Sequence, residues 1–443
     1  MSASLLPELH VVHCIDTEGP LVEGLPATFD RLRAIFGLDL PATAENLRLL
    51  QERRIPLAGR EAEVARVVAP GLLRYNESWD DIDRMLDDAL SPDFRCTMRD
   101  DQGEGWVYSW HCMDHAGYSA NPRQKDVGYG RIFRHYRDRL AGGPTRDELN
   151  WHYHPLSFSR NPLQCATNYV NSYDVLNQVL CRRVIEEKWF PLANRPGFHT
   201  ERPDIHLFLE QWIPFDYANQ SWEAGDDGQP DLVRGRFGDW RRASRSWRGY
   251  QPAHDDYQAP GTCRRWIFRC LNVGTRFREL GAGHVEQAFR EARETGSAIL
   301  AFADHDYRDI RPDVQRVREL LAAARPDFRD VRLRFSGAAE AARAHLGRQG
   351  AVHPEPLALR VWLEGPCLQV EVARGKIFGP QPYLALQTKA GAFHHDNFDV
   401  QAPGRRYTYS FDDQTLPLSD LRTIGVASAG RCGHAAVQTL LLP

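Results

Sequence analysis

Three short segments carry side chains that can do chemistry together. In "HVVHCIDTEGP" an apolar run leads into Asp16 and Glu18, followed by a Gly-Pro turn. Side chains in an extended chain alternate between faces, so acids at i and i+2 share one. Such a pair suits a divalent metal or a general base; the competing readings are a helix cap or an arginine partner. In "NWHYHP" His152 and His154 repeat the spacing. Two imidazoles aimed one way suit a divalent ion, Zn²⁺ first, with Mn²⁺, Co²⁺ or Ni²⁺ as the other choices. In "ADHD" His305 lies between Asp304 and Asp306. A neighbouring carboxylate orients an imidazole or raises its pKa, as a general acid needs. The other reading is a surface histidine beside a helix cap supplied by Asp306 or Asp309.

Further candidates lie nearby. "HCMDHAGYSANPR" offers His111, Asp114 and His115 as pocket residues or structural hydrogen bonders. "NRPGFH" and "IPFDYAN" contribute Arg195 and Asp216, either a pair that tunes a base or an ordinary buried ion pair. Cys14, Cys112 and Cys165 lie near these motifs, and core thiols are the plainer reading. The nine cysteines are scattered singly with no CxxC pair, which predicts reduced thiols.

The elements that position these residues alternate. Residues 9–15 read as a buried strand, and "PATAENLRLLQERRIPLAG" as a helix with Thr43 as cap. "NESWDDIDRMLDDAL" reads as a helix capped by Ser78 and stopped at Ser91-Pro92. Strand-like runs then enter "WHCMDH", "HYHP", "NRPGFH", "FDYAN" and "ADHD", with helices such as "RIFRHYRDRL", "SYDVLNQVLCRRVIEE" and "AGHVEQAFREARETG" between them. Strand–helix alternation over some 340 residues predicts a parallel sheet closed into a (β/α) barrel, with chemistry at the C-terminal strand ends. A Gly-, Asp-, Arg- and Trp-rich insertion at about 222–265 interrupts it as a substrate lid, a packing flap or an oligomer contact. From about residue 350 short segments separated by Gly, Pro and Asp predict an antiparallel β-sandwich of about seven strands, packed against the barrel as a separate domain. The expected division is 1–345 and 350–443.

The ordered motifs resemble those of the polysaccharide deacetylase superfamily, the NodB-like or carbohydrate esterase family 4 fold. "IDTEGP" is similar to the first family motif, two adjacent aspartates before Gly-Pro; here Thr17 separates the acids. "WHYHP", "NRPGFH", "FDYAN" and "ILAFADHD" are similar to the later motifs. The resemblance implies an irregular (β/α) barrel that hydrolyses N-acetyl groups from amino sugars with a divalent metal. It implies Asp16 as base and Glu18 as metal ligand, or the two roles exchanged, with His152 and His154 as further ligands, Arg195 and Asp216 as supporting residues, and His305 as acid. Trp110, Trp151 and Tyr217 are then sugar-stacking walls or core.

Across its 443 residues the chain is 42% hydrophobic and 26% charged, with a net charge of -4, which gives no electrostatic case for nucleic acid. "MSASLLPELH" lacks the basic and apolar regions of a signal peptide, and no window is long and apolar enough for a membrane span. The expectation is a cytoplasmic protein acting on an amino sugar, nucleotide sugar or lipid-linked glycan during surface-polysaccharide assembly. A glycosidase or another C–N hydrolase on the same barrel, or a carbohydrate-binding protein without catalysis, are the alternatives. The sequence leaves the oligomeric state open.

Overall fold

The computed structural model describes residues 6–142, 145–164, 166, 168–222, 238–275, 277–351, 355–431 and 433–443. Among them, seven parallel strands close a barrel: β1 (Glu8–Thr17), β2 (Tyr108–Cys112), β3 (Glu148–Tyr153), β4 (Ala193–Pro196), β5 (Phe215–Asn219), β6 (Trp266–Asn272) and β7 (Ser297–His305). β1 pairs with β7 along nine positions, from Glu8↔Ser297 to Asp16↔His305. On its other side it is shared. Its mouth half pairs with β2, from His13↔Tyr108 to Thr17↔Cys112, and its foot with β8 (Arg332–Phe335). The strand wedged in at the foot makes the barrel irregular.

Alternation along β1 sorts its side chains. Val12 and Cys14 pack inside with Tyr217, Phe268, Cys270, Ile299 and Ala301, whereas Leu9, Val11 and Ile15 join the outer core under the helices. The alanine-rich helix Ala338–Arg348 closes the foot. Its small side chains at 338, 339, 341 and 342 let the helix approach the interior residues of β1, β5 and β7 closely.

Between β1 and β2 lie helices Leu25–Phe36, Ala44–Gln51, Glu61–Val67 and Trp79–Ala89. The Thr43 and Ser78 caps form as expected, the second as a full capping box. Helix Leu25–Phe36 was not anticipated. Its signals were present: Pro26 at its start and Gly37 in the left-handed conformation at its end. Cys165 and the 223–237 part of the insertion lie outside the described residues. In the remainder, 238–265, Trp240 and Trp247 are packed into the core, and none of these residues lines the cleft described below.

The C-terminal region is a pair of four-stranded antiparallel sheets. One holds β9 (Ala358–Glu364), β10 (Cys367–Arg374), β13 (Asp399–Ala402) and β14 (Arg406–Ser410); the other holds β11 (Tyr383–Thr388), β12 (Phe393–Asp396), β15 (Leu421–Ala429) and β16 (Ala435–Leu441). Leu368, Val370, Leu384, Leu386, Ile424 and Val426 form the core between them. The opposite face of the second sheet is buried too, because Tyr383, Ala385 and Ala427 pack with Leu180, Cys181 and Val184 of helix Tyr173–Ile185. Gly425 permits this approach: a Cβ there would stand 2.7 Å from Val184. Among the described residues no helix is long and apolar enough to cross a membrane.

At the barrel foot, His10 Nδ1 lies 3.0 Å from Ser336 Oγ, and His345 bridges Ser297 Oγ at 3.0 Å and the Arg248 carbonyl at 2.7 Å. Burial pushes His10 down to about 3 and His345 down to about 4 from an ordinary 6.5. The unfolded chain takes up protons at these rings below 6.5 while the folded chain does not. Their stabilisation is therefore full above pH 6.5 and is lost as pH falls towards their folded values. The melting temperature should fall progressively below pH 6.5, and more shallowly in His10→Gln, as differential scanning calorimetry across pH would record.

Candidate functional site

Strand register brings the polar residues to one level at the mouth. His305, Asp16 and His111 are direct neighbours across β7, β1 and β2, and His152 and Arg195 are neighbours across β3 and β4. Above them opens a cleft of about 930 Å³. Asp16, Glu18, His115, Lys125, His154, Phe198, His199, His305, Tyr307 and Arg308 are among its lining residues.

Asp16 is 3% exposed, and its Oδ1 forms an ion pair with Arg195 Nε at 2.6 Å. Arg195 Nη1 also donates to the Tyr217 carbonyl at 3.1 Å, which ties β1, β4 and β5 together. Removing one partner from such a buried pair costs about 3–5 kcal/mol, because the other charge is stranded. Asp16 Oδ2 faces His305 Nε2 at 3.6 Å. Burial pushes the Asp16 carboxyl up to about 7 against the pull of Arg195, and burial together with Arg308 pushes His305 well below the usual histidine range. A charged His305 beside an ionised Asp16 is thus not the resting arrangement.

Glu18, His152 and His154 converge, with one ligand-type atom from each inside a 4.8 Å cluster. His152 Nδ1 lies 2.6 Å from the Arg195 carbonyl, which can only accept, so this nitrogen carries the proton and Nε2 presents a lone pair. That lone pair meets His154 Nε2 at 2.9 Å. Two ring nitrogens facing each other need a proton or a cation between them. The donor set of two imidazoles and a carboxylate therefore fits a divalent ion with an open position for water. Burial would raise the Glu18 carboxyl, but Lys125 and His154 beside it hold it well below the usual carboxylate range. Lys125 Nζ lies 3.2 Å from Glu18 Oε2, and His154 Nε2 lies 3.6 Å from Oε1.

The remaining candidates divide by strand parity. His152 and Arg195 point inwards, so Trp151 faces outwards, where its ring packs with Tyr153 and Phe208. Trp110 likewise faces the helical jacket, with its indole donating to Asp147. Tyr217 points inwards but lies below the floor, stacked on Phe268 and donating to the Ala338 carbonyl. None of these three aromatics walls the cleft. Aromatic faces are supplied instead by Tyr75, Tyr118, Phe158, Phe198, Phe277 and Tyr307.

Asp216 lies between the inward-facing Phe215 and Tyr217, so it points outwards. There it meets Arg265 at 3.5 Å and Asn194 at 2.9 Å rather than Arg195. Asp114 pairs with Arg183 at 2.6 Å and accepts from the Gly130 amide, a structural tie. His111, level with Asp16, is fully buried and does not line the cleft; its Nδ1 lies 3.2 Å from the Trp151 carbonyl. His115 does line the cleft, and its Nε2 lies 2.9 Å from the Glu18 carbonyl.

Neither neighbour of His305 orients its ring. Asp304 turns out to His13 at 2.9 Å, and Asp306 accepts from the Glu18 amide at 2.8 Å, the Gly19 amide at 2.9 Å and the Tyr136 hydroxyl at 2.9 Å. Asp306 thus holds the turn that presents Glu18 and does not cap the following helix. Sequence reasoning missed Asp306 in this role, as it missed Lys125, His199 and Arg308.

The segment after β4 bends sharply. Phe198 and His199 occupy the left-handed region at φ 55° and 51°, strained for residues other than glycine. This brings the Phe198 ring edge-on to His154, with centroids 4.7 Å apart, and places His199 in the cleft wall. No protein-family model matches the chain, and no curated protein matches it.

Gly197 lies directly against His154, and a Cβ there would overlap the imidazole. Gly197→Ala should leave the far-ultraviolet circular dichroism spectrum intact. It should weaken uptake of a divalent ion roughly 10–100-fold, as measured by competition with a chromogenic chelator.

Proposed function

We propose that the chain is a metal-dependent hydrolase that removes an N-acyl group, acetyl first, from an amino sugar or glycan intermediate in the cytoplasmic assembly of a surface polysaccharide. The observation that supports this most is the meeting of the His152 and His154 Nε2 atoms at 2.9 Å beside Glu18, with the His152 Nδ1 proton already committed to the Arg195 carbonyl. Glu18, His152 and His154 would hold the ion, with Zn²⁺ preferred to Mn²⁺, Co²⁺ or Ni²⁺. Such an ion supplies polarisation of the scissile carbonyl and a more acidic water.

The chain's own residues move the protons. A carboxyl near 7 is partly ionised at neutral pH, so Asp16 accepts the proton of the attacking water and can release it again. Oδ1 is held by Arg195, which leaves Oδ2 turned towards His305 Nε2. The proton passes from Asp16 Oδ2 to His305 Nε2 and then to the departing amine. A resting neutral His305 fits this relay, since it must accept before it donates. The cleft volume of about 930 Å³ and its aromatic and amide lining, including Phe158, Asn161, Gln164 and Asn168, suit a sugar substrate.

The purified protein should contain a stoichiometric divalent ion by plasma emission spectroscopy, and His152→Ala should not. Asp16→Asn should keep the ion but lower acetate release from N-acetylated nucleotide sugars or lipid-linked sugars by roughly 10²–10⁴-fold. A metal-free wild type, or an Asp16→Asn variant with undiminished activity, would refute this mechanism.

A further inference from the structure

We infer that Arg308 makes the cleft a receptor for a substrate that carries an oxyanion, a carboxylate or a phosphoryl group, close to the scissile amide. The sugar part of this inference rests on the hydrolase reading above; the anion part rests on Arg308 itself.

Arg308 lines the cleft and is 7% exposed. Among the described residues, the lysine and the other arginines lining the cleft, and Arg195 beside Asp16, each have a carboxylate. Arg195 holds Asp16, Lys125 holds Glu18, and Arg31 and Arg123 share Glu23. Among the described residues the Arg308 guanidinium has neither a carboxylate within ion-pair reach nor a hydrogen-bond acceptor. Its close neighbour is the Tyr307 ring, 5.1 Å from the guanidinium carbon to the centroid. Asp313 feels the Arg308 charge but forms no ion pair with it, and burial and Asp304 push its carboxyl up.

Arginine cannot shed its proton to escape burial, and a largely buried cation without a counter-ion is costly. A structural arginine would meet that cost with a partner from its own chain, as Arg183 does with Asp114. Arg308 instead faces a cavity, where the partner can come with the ligand. Its planar fork matches the paired oxygens of a carboxylate or a phosphoryl group.

Position joins this anion site to the chemistry. The Arg308 amide donates to the His305 carbonyl at 3.2 Å. The Tyr307 ring is a neighbour of both side chains, with its centroid 4.7 Å from that of the His305 ring and 5.1 Å from the guanidinium carbon. An oxyanion on Arg308 is therefore held beside the same aromatic ring as the imidazole that hands a proton to the amine, in the same cleft, where a second substituent of one substrate would lie.

The test is calorimetric titration of the chelator-treated, metal-free protein with glucose, glucuronate and glucose 6-phosphate. Removing metal prevents direct coordination of the oxyanion. At least one anionic sugar should bind about tenfold or more tighter than glucose, the ratio that one charge-assisted hydrogen bond supplies. The advantage should shrink with added salt and vanish in Arg308→Gln, and in Arg308→Met should the first variant not fold. The comparison of glucuronate with glucose 6-phosphate identifies the oxyanion. Equal binding of the three sugars, no binding by either anionic sugar, or a preference that survives loss of the guanidinium would overturn the inference. Metal analysis of the same samples keeps the two readings apart: a wild type that never takes up metal defeats the hydrolase, whereas calorimetry alone decides the anion site.

Discussion

A pleated strand cannot send two successive side chains to the same face, and in this barrel that rule decides which polar residues meet. On β1 the even positions from Val12 to Asp16 enter the interior, and the odd positions enter the apolar layer beneath the helices. Register carries the same parity to the neighbours, so His305, Asp16 and His111 stand abreast, as do His152 and Arg195. The residues between them, Trp151, Asp304 and Asp216, are committed to the jacket. They pack or pair there, with Phe208, His13 and Arg265 respectively.

The polar mouth survives burial because its charges are matched across strands. Arg195 on β4 neutralises Asp16 on β1 and hands its own carbonyl to His152, so one residue holds the carboxylate and sets the imidazole tautomer. Lys125 plays the corresponding part for Glu18, from a loop distant in sequence. Asp306 secures the turn between them through two backbone amides. Asp16 and the turn carrying Glu18 are thus held by Arg195 and Asp306, which do not line the cleft, and this is how a buried polar site keeps its geometry.

The β-sandwich contributes by packing. Its second sheet is covered on one face by the first sheet and on the other by helix Tyr173–Ile185. That helix also carries Arg183, which fixes Asp114 and the loop leading to His115. The C-terminal region therefore reaches the cleft wall through one helix, without placing a residue in the cleft.

Much of this was written in local sequence. Alternating strands and helices and the switch to short strands near residue 350 predicted a barrel followed by a sandwich. The i, i+2 spacing of Asp16 with Glu18, and of His152 with His154, predicted side chains on a shared face, because the two-residue period is a property of the extended backbone alone. Spacing could not say which parity faced inwards, so Asp216, Trp110 and Trp151 stayed open between a place in the pocket and a buried structural one, and strand closure turns all three away from the cleft. Nor could it reveal Lys125, Asp306 or Arg308 as neighbours of the site. Their places depend on loops and strand ends brought together by closure of the barrel, and the charge partners that each has or lacks exist only once distant segments share one buried volume.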